Sequence, residues 1–335
     1  MRFALVMTAD AGLLPGVHAM LNALKYYGDD SIEFHLLYWP SKEMDVFNKQ
    51  MTEYYSNFRC LDVRSLIHGS DEERFRPVYY LKFYRSLYAG QMTDYDAVAY
   101  FDADRFITAS IYQYFDQTVK TGKILMCDHK FDMRRYKAGF YNKYKIQGTN
   151  GCPYDSAATF FIPAVHGKYF EKVHEVGKMI GRGEMASVNY MLITDNLLLD
   201  VIPLPKHLWN LRNLLEIKMR WMQDIDGKCR LITDAGEHVV SIHGRYHIRG
   251  AMAKKAAKIY DKKWTQGHLI HNDSLREFLK VIDFFNWNCY TTINWCDKWV
   301  RRGDYIDNDG YLMGTDGLPA EGRGVDIEWK KKRLQ

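Results

Sequence analysis

Through Asp104 the chain alternates near-continuous apolar runs with amphipathic stretches, and that alternation leaves it few architectures. "RFALVMTA", "EFHLLYWP", "FRCLDVRSL" and "DAVAYFDAD" read as strands. Between them, "GVHAMLNALKYYG" ending at Gly28, "EMDVFNKQMTEYYSN", and "VYYLKFYRSLYAG" stopping at Gly90 read as helices. Strands alternating with helices build βαβ units around a largely parallel sheet. Strands this apolar belong to a sheet covered on both faces. Beyond Asp104 the pattern loosens. "KILMCDHK", "SAATFFIP" and "HVVSIHG" are strand-like, and "YFEKVHEVGKMIGRG", "MASVNYMLITDN" and "AMAKKAAKIYDKKW" are helical. The tail from Gln266 is rich in aromatics, then in Gly and Asp, and no internal repeat is present.

Composition narrows the class. A chain of 335 residues, 47% apolar and 26% charged, can bury a large core and is ordinary for a soluble enzyme. No apolar stretch approaches the roughly 18 residues needed to span a bilayer, so no membrane span is expected. "MRFALVMTADAGLLPG" lacks a basic region followed by a long apolar one, so no secretory leader is expected. The six cysteines are scattered, without CxxC or zinc-ligand spacing. That suggests reduced thiols and a cytoplasmic protein, in the host cytoplasm if phage-encoded. The formal charge of +5 permits anionic ligands without requiring them.

The chemistry concentrates at "AVAYFDADRFITASI", where an apolar strand breaks into Asp102-Ala103-Asp104. In open parallel sheets, ligands bind beyond the carboxyl ends of the strands. Two carboxylates one residue apart can grip a hard divalent cation, which bridges them to phosphate oxygens. A diphosphate leaving group needs that neutralisation as its bond breaks. Read as residues alone, Asp102 and Asp104 are equally able to cap a turn or the next helix. Upstream, Lys82 and Arg85 in "LKFYRSL" lie three apart on one helix face, where they serve a phosphate or solvent.

These residues give the chain a resemblance to the GT-A glycosyltransferases, particularly glycosyltransferase family 8 (the glycogenin and lipopolysaccharide galactosyltransferase type). The similarity runs from about Phe3 to Trp264. It implies an α/β GT-A fold: a mixed, mostly parallel sheet flanked by helices. Residues 1–264 would form the nucleotide-sugar domain and residues 265–335 an aromatic-rich, helical C-terminal extension. By the same resemblance Thr8, Ala9 and Asp10 contact the uridine, Lys82 and Arg85 face the diphosphate, and "FDAD" is the metal motif. A late family motif, H-x-x-G-x-x-K, is similar to "IHGRYHIRG". It assigns His243 to the metal, with His247 as a competitor, and Arg249 to the diphosphate, although Tyr246 replaces the middle glycine. Arg for Lys keeps the charge and adds a fork for phosphate oxygens. Two carboxylates and an imidazole suit Mn²⁺, with Mg²⁺ the alternative. Read alone, His243 is a satisfied histidine at a strand end.

Between those anchors the match thins. "DSAATFFIP" carries Asp155 where the family has Asn. "EMASVN" keeps Glu184 and Asn189 of the family's D-Q-D-x-x-N, while Met185 and Ala186 replace its middle pair. Asp128 in "LMCDHK" matches the acid that touches the donor sugar. Asp128, Asp155 and Glu184 are therefore the candidates for hydroxyl recognition or acceptor activation, and each serves equally as a surface ion-pair partner.

The segment from Lys130 to Lys145 lies outside the family pattern. It interleaves six cations with Phe131, Tyr136, Phe140, Tyr141 and Tyr144. Such a stretch either stacks on nucleic-acid bases or closes as a lid over the donor. The expectation is a metal-dependent transferase moving a sugar from a nucleotide diphosphate sugar, a UDP-sugar by resemblance, to a glycan hydroxyl with retention. A hydroxylated DNA base is the rival acceptor. Two other classes stay open: a DxD phosphatase, although Phe106 stands where its motif has Thr or Val, and a non-catalytic sugar-nucleotide binder.

Overall fold

The computed structural model describes residues 1–10, 13–66, 77–103, 105–128, 154–180, 183–209 and 218–243, with scattered positions between 277 and 313. These fall into two units, Met1–Leu211 with His238–His243, and Arg212–Glu237 with Gly244–Gln335. The helical extension expected after residue 264 lies largely outside the described residues.

The first unit is built on a seven-stranded sheet of order β3-β2-β1-β4-β7-β6-β8. Its strands are β1 (Phe3–Ala9), β2 (Glu33–Tyr38), β3 (Phe58–Asp62), β4 (Ala97–Asp102), β6 (Ile124–Asp128), β7 (Tyr154–Phe161) and β8 (Val201–Leu204). β7 is antiparallel to both β4 and β6, and the other pairings are parallel. The sheet is mostly parallel, as the residue pattern calls for, and mixed, as the resemblance implies. Every residue of β1 and β4 is buried, as strands covered on both faces must be.

Helices α1 (Leu14–Tyr27), α2 (Lys42–Tyr54), α3 (Pro77–Gln91) and α4 (Tyr112–Thr121) connect the first strands. Gly28 ends α1 in the left-handed region at φ 79°, where a glycine is unstrained. Ser41 caps α2 by accepting from the Met44 N–H at 3.2 Å. The buried Asp29 accepts from Ser110 Oγ at 2.6 Å and the Ile111 N–H at 2.7 Å, tying the end of α1 to the entry of α4.

Two departures from the sequence pattern have local causes. "YFEKVHEVGKMIGRG" is not one helix. It divides at Lys172 into α5 (Pro163–Glu171) and α6 (Val173–Ile180). Gly90 does not stop α3, which runs on to Gln91. Instead the backbones of α3 and α5 touch there. A Cβ on Gly90 would stand 2.7 Å from the Gly167 carbonyl oxygen, and one on Gly167 would overlap that of Gly90. The glycine pair lets these helices cross backbone to backbone over the Tyr100, Phe161 and Phe170 layer. On the other sheet face, Phe101, Phe115, Phe160 and Trp209 pack edge to face at 5.1–6.2 Å. Aromatic pairs favour that geometry.

Helix α7 (Glu184–Thr194), the short helix α8 (Lys206–Trp209), and a small ladder of β5 (Arg105–Ile107) with β11 (Ser241–His243) complete the described part of the unit. In the second unit, β9 (Met219–Gln223) and β10 (Cys229–Thr233) form an antiparallel hairpin whose Trp221 packs on Phe284 and Phe285.

Candidate functional site

Five of the predicted site residues lie at one edge of the sheet. β1 and β4 are parallel, and their register sets Thr8 directly beside Asp102. Because β7 reverses between β4 and β6, β6 delivers Asp128 to the same edge. β7 begins there, with Tyr154 opposite Asp128 and Asp155 opposite Cys127. Thr8, Ala9, Asp102, Asp128 and Asp155 thus share the edge where open α/β sheets bind their ligands.

Asp102 anchors a chain of ionic contacts. Arg85 Nη1 donates to its Oδ1 at 2.6 Å, and Lys82 Nζ donates to its Oδ2 at 2.7 Å. The two cations differ in setting: the Arg85 side chain is fully buried, whereas that of Lys82 is 41% exposed. Arg85 also lies 3.6 Å from Glu184, too long for a hydrogen bond but close enough for an ion pair. Glu184 accepts from Ser86 Oγ at 3.2 Å and Ser156 Oγ at 2.5 Å. The Tyr100 ring lies 4.5 Å from the guanidinium carbon, a cation–π contact.

These neighbours set the charges. Burial alone would lower the Arg85 pKa, but Asp102 and Glu184 overcome it and hold the guanidinium above its ordinary range. Burial raises the Glu184 carboxyl, and Arg85 and Ser156 only partly offset that. Arg85 Nε and Nη2 are buried and have no hydrogen-bond partner among the described residues. Donors left unmet in the interior carry a desolvation cost, which the ion pair of Nη2 with Glu184 offsets in part.

The other predicted metal residues are only partly described. Asp104 lies outside the described residues. The backbone of His243 pairs with that of Arg105, so the strand carrying it lies directly against the residue that follows Asp104. Among the described residues no cluster of three or more His, Cys, Asp or Glu side chains is poised around a metal. Arg249 and residues 130–145 also fall outside the described residues.

Several residues hold this edge in shape, and sequence reasoning passed over Arg105, Ser86, Ser156 and Gly16 among them. Arg105 is fully buried and donates to the Ala157 carbonyl at 3.0 Å, to Ser241 Oγ at 2.7 Å and to the Trp209 carbonyl. It fastens β7, α8 and β11 to the loop that carries the acidic motif. A charge inside the apolar run "RFI" was the available signal. Ser86 and Ser156, which satisfy Glu184, gave no pattern of their own. Asn189 grips the Tyr154 backbone, donating to its carbonyl at 2.8 Å and accepting from its N–H at 3.1 Å, which seats α7 on the start of β7. Asp155 accepts from the Ala157 N–H at 2.9 Å.

Gly16 is the least visible of these residues. It lies in the first turn of α1, and a Cβ there would overlap the Ala103 carbonyl oxygen. The start of α1 therefore lies against the peptide between the two acids. Gly16→Ala must push backbone aside, with an expected cost of about 1–3 kcal/mol. The displacement falls on Ala103, and urea denaturation of Gly16→Ala measures that cost, with unchanged stability as the result that would contradict it.

No protein-family model matches the sequence, and no curated protein matches it. Solved structures do. The bifunctional glycosyltransferase WbbM, in its apo structure, superposes with a TM-score of 0.50 at 14% identity over 63% of this chain. This chain spans only 40% of that protein's length. An active-site mutant of LgtC matches at 0.45 and 14% identity, covering 62% of this chain and 74% of that one. Mouse xyloside xylosyltransferase 1 matches at 0.46 and 14% identity, covering 73% of this chain and 98% of that one. The sheet order, the reversed strand β7 and the WbbM superposition make this a GT-A fold.

Proposed function

We propose that this protein is a glycosyltransferase that moves a sugar from a nucleotide diphosphate sugar, a UDP-sugar, to a glycan hydroxyl with retained configuration. One observation carries the reading. At the ligand-binding edge of a GT-A sheet, Asp102 sits beside Thr8 and gathers Lys82 and Arg85 around one carboxylate. A site built from one acid and two cations suits a ligand that brings both phosphate oxygens and a metal ion.

Of the three residues that the resemblance assigns to a divalent cation, Asp102 is the one whose side chain is described. Asp102 offers two hard oxygen donors, each of which accepts from a cation, Lys82 or Arg85. Asp102, Asp104 and His243 would hold Mn²⁺ or Mg²⁺, which neutralises charge on the departing diphosphate.

The chain's own side chains do the rest. Thr8, Ala9 and Asp10 meet the nucleoside at the end of β1. Arg85, fixed between two acids, holds its positive charge beside the site without having to reorganise, and such preorganised charge counts most where charge develops. Arg249 meets the diphosphate from the later motif. Asp128, Asp155 and Glu184 recognise sugar hydroxyls or accept the acceptor's proton. Residues 1–264 form the nucleotide-sugar domain on this reading, and residues 265–335 are an extension to it.

A thermal-shift screen of UDP-, GDP- and CMP-sugars with Mn²⁺ tests the donor. A ligand at a hundred times its Kd adds about 2.7 kcal/mol to the native state. UDP and one or more UDP-sugars should raise the melting temperature only with metal present. Stabilisation by GDP- or CMP-sugars alone would contradict the choice of donor.

A further inference from the structure

At the start of β2, the end away from the candidate site, a line of polar side chains ties three elements together. His35 lies in β2 and is 7% exposed. Its Nδ1 is 2.9 Å from the hydroxyl of Tyr88, on α3, and its Nε2 is 3.1 Å from the hydroxyl of Tyr95, in the turn between α3 and β4. Tyr95 donates to Glu33 Oε2 at 2.8 Å, and Arg2 donates to Glu33 Oε1 at 3.0 Å.

Proton counting fixes the direction of each bond. Burial would raise the Glu33 carboxyl, but the bonds from Tyr95 and Arg2 overcome it and hold its pKa below the ordinary value. An ionised carboxylate only accepts, so the single Tyr95 proton goes to Glu33. The Tyr95 oxygen therefore accepts from His35 Nε2–H. A neutral imidazole carries one N–H, so Nδ1 is bare and accepts from the Tyr88 hydroxyl. A charged ring would carry a second N–H, at Nδ1, pointed at a hydroxyl that already donates there. Tyr88 would have to turn its proton away.

We infer that His35 is a proton-sensitive latch: neutral, with its proton on Nε2, it fastens β2 to α3 and to the turn that leads into β4, and acid favours its opening. The groups that face the ring set the range. Burial pushes its pKa down to about 4. Glu33, whose Oε2 is 3.7 Å from Nε2, favours the charged ring, whereas Arg59, beside it in β3, and Arg2 disfavour it. The acids of the α3–β4 turn act on Arg2: Asp96 accepts its backbone N–H at 2.6 Å, and Asp94 adds its charge. Once the latch opens the ring meets water and charges at about pH 6.5, so opening becomes easier as pH falls from about 6.5 toward 4. Helix α3 also carries Lys82 and Arg85, so the latch bears on the helix that serves the candidate site. Nothing in it depends on the proposed function.

Two measurements test it. The first uses the wild-type chain with nitrogen-15-labelled histidine, and long-range proton–nitrogen spectra in which His35 is identified by its contacts with the Tyr88 and Tyr95 rings. The proton should sit on Nε2 at pH 7.5, and the ring should still be mostly neutral at pH 5.5. A proton on Nδ1, or a ring mostly charged at pH 5.5, overturns the latch. The second compares wild type with His35→Gln, which can still donate to Tyr95 but takes up no proton. From pH 7 to pH 5 the wild-type folding constant, from urea denaturation, should fall about tenfold more than that of the variant. Hydrogen exchange should place the same excess opening, about tenfold, in the α3 amides from Ser86 to Gln91 of wild type. Equal falls in the two proteins, or α3 opening that does not change with pH in wild type, overturn the latch.

Discussion

Arg85→Met is expected to cost about 3–5 kcal/mol of stability, the range for removing one member of a buried ion pair. Arg85 is fully buried between Asp102 and Glu184. Methionine matches its bulk but leaves the Glu184 carboxylate buried with only Ser86 and Ser156 as partners. Burial already raises the Glu184 pKa, and losing the cation raises it further, so the variant's penalty eases as Glu184 takes up a proton. The sign follows: a carboxyl whose native pKa is raised destabilises the fold when ionised, so the variant should lose more stability at pH 8 than at pH 5. Adding Glu184→Gln to Arg85→Met should restore roughly 1–2 kcal/mol, because the two positions share one contact and their effects do not add. Arg85→Lys should fall between, since a single ammonium cannot serve both acids at once. Urea denaturation of the four proteins measures each value. Equal stability of Arg85→Met and wild type would mean that the buried ladder does not hold this edge together.

Asp102→Asn is the second large effect, and it falls on chemistry. The amide keeps the shape of the carboxylate, so the fold should survive, with Arg85 still paired to Glu184. The charge that draws in a divalent ion is gone, however, and the amide nitrogen cannot accept from Lys82. Sugar transfer should fall about a hundredfold or more, the usual consequence of losing one preorganised charge-stabilising group. Mn²⁺-dependent UDP binding, followed by calorimetry, should vanish with it. Normal turnover by Asp102→Asn in chelator-treated buffer would contradict the placement of the metal.

Much of the fold was legible because its signals are local. Uninterrupted apolar strands, glycine helix ends such as Gly28 and the spacing of "FDAD" are all written within a few residues. The antiparallel strand β7 was not, because "SAATFFIP" reads the same in either direction and only its pairing with β4 and β6 sets its sense. Gly90 looked like a helix stop because its partner, Gly167, lies far along the chain. At the site, residue types and chain order pointed to Asp102, Lys82, Arg85 and Glu184. Their mutual contacts were invisible, since Glu184 reaches Arg85 only once α7 is seated on β7. Arg105 and Gly16 were missed for the same reason: each acts on backbone that is distant in sequence.

The reading as a transferase is tested most directly by what leaves the donor. Wild-type protein is incubated with a panel of UDP-sugars and Mn²⁺, with and without oligosaccharide acceptors, and both UDP and inorganic phosphate are quantified. The account predicts metal-dependent release of UDP from one or a few of the sugars, faster with an acceptor, and no phosphate. Release of inorganic phosphate, or no turnover of any nucleotide sugar with metal and acceptor present, would contradict it.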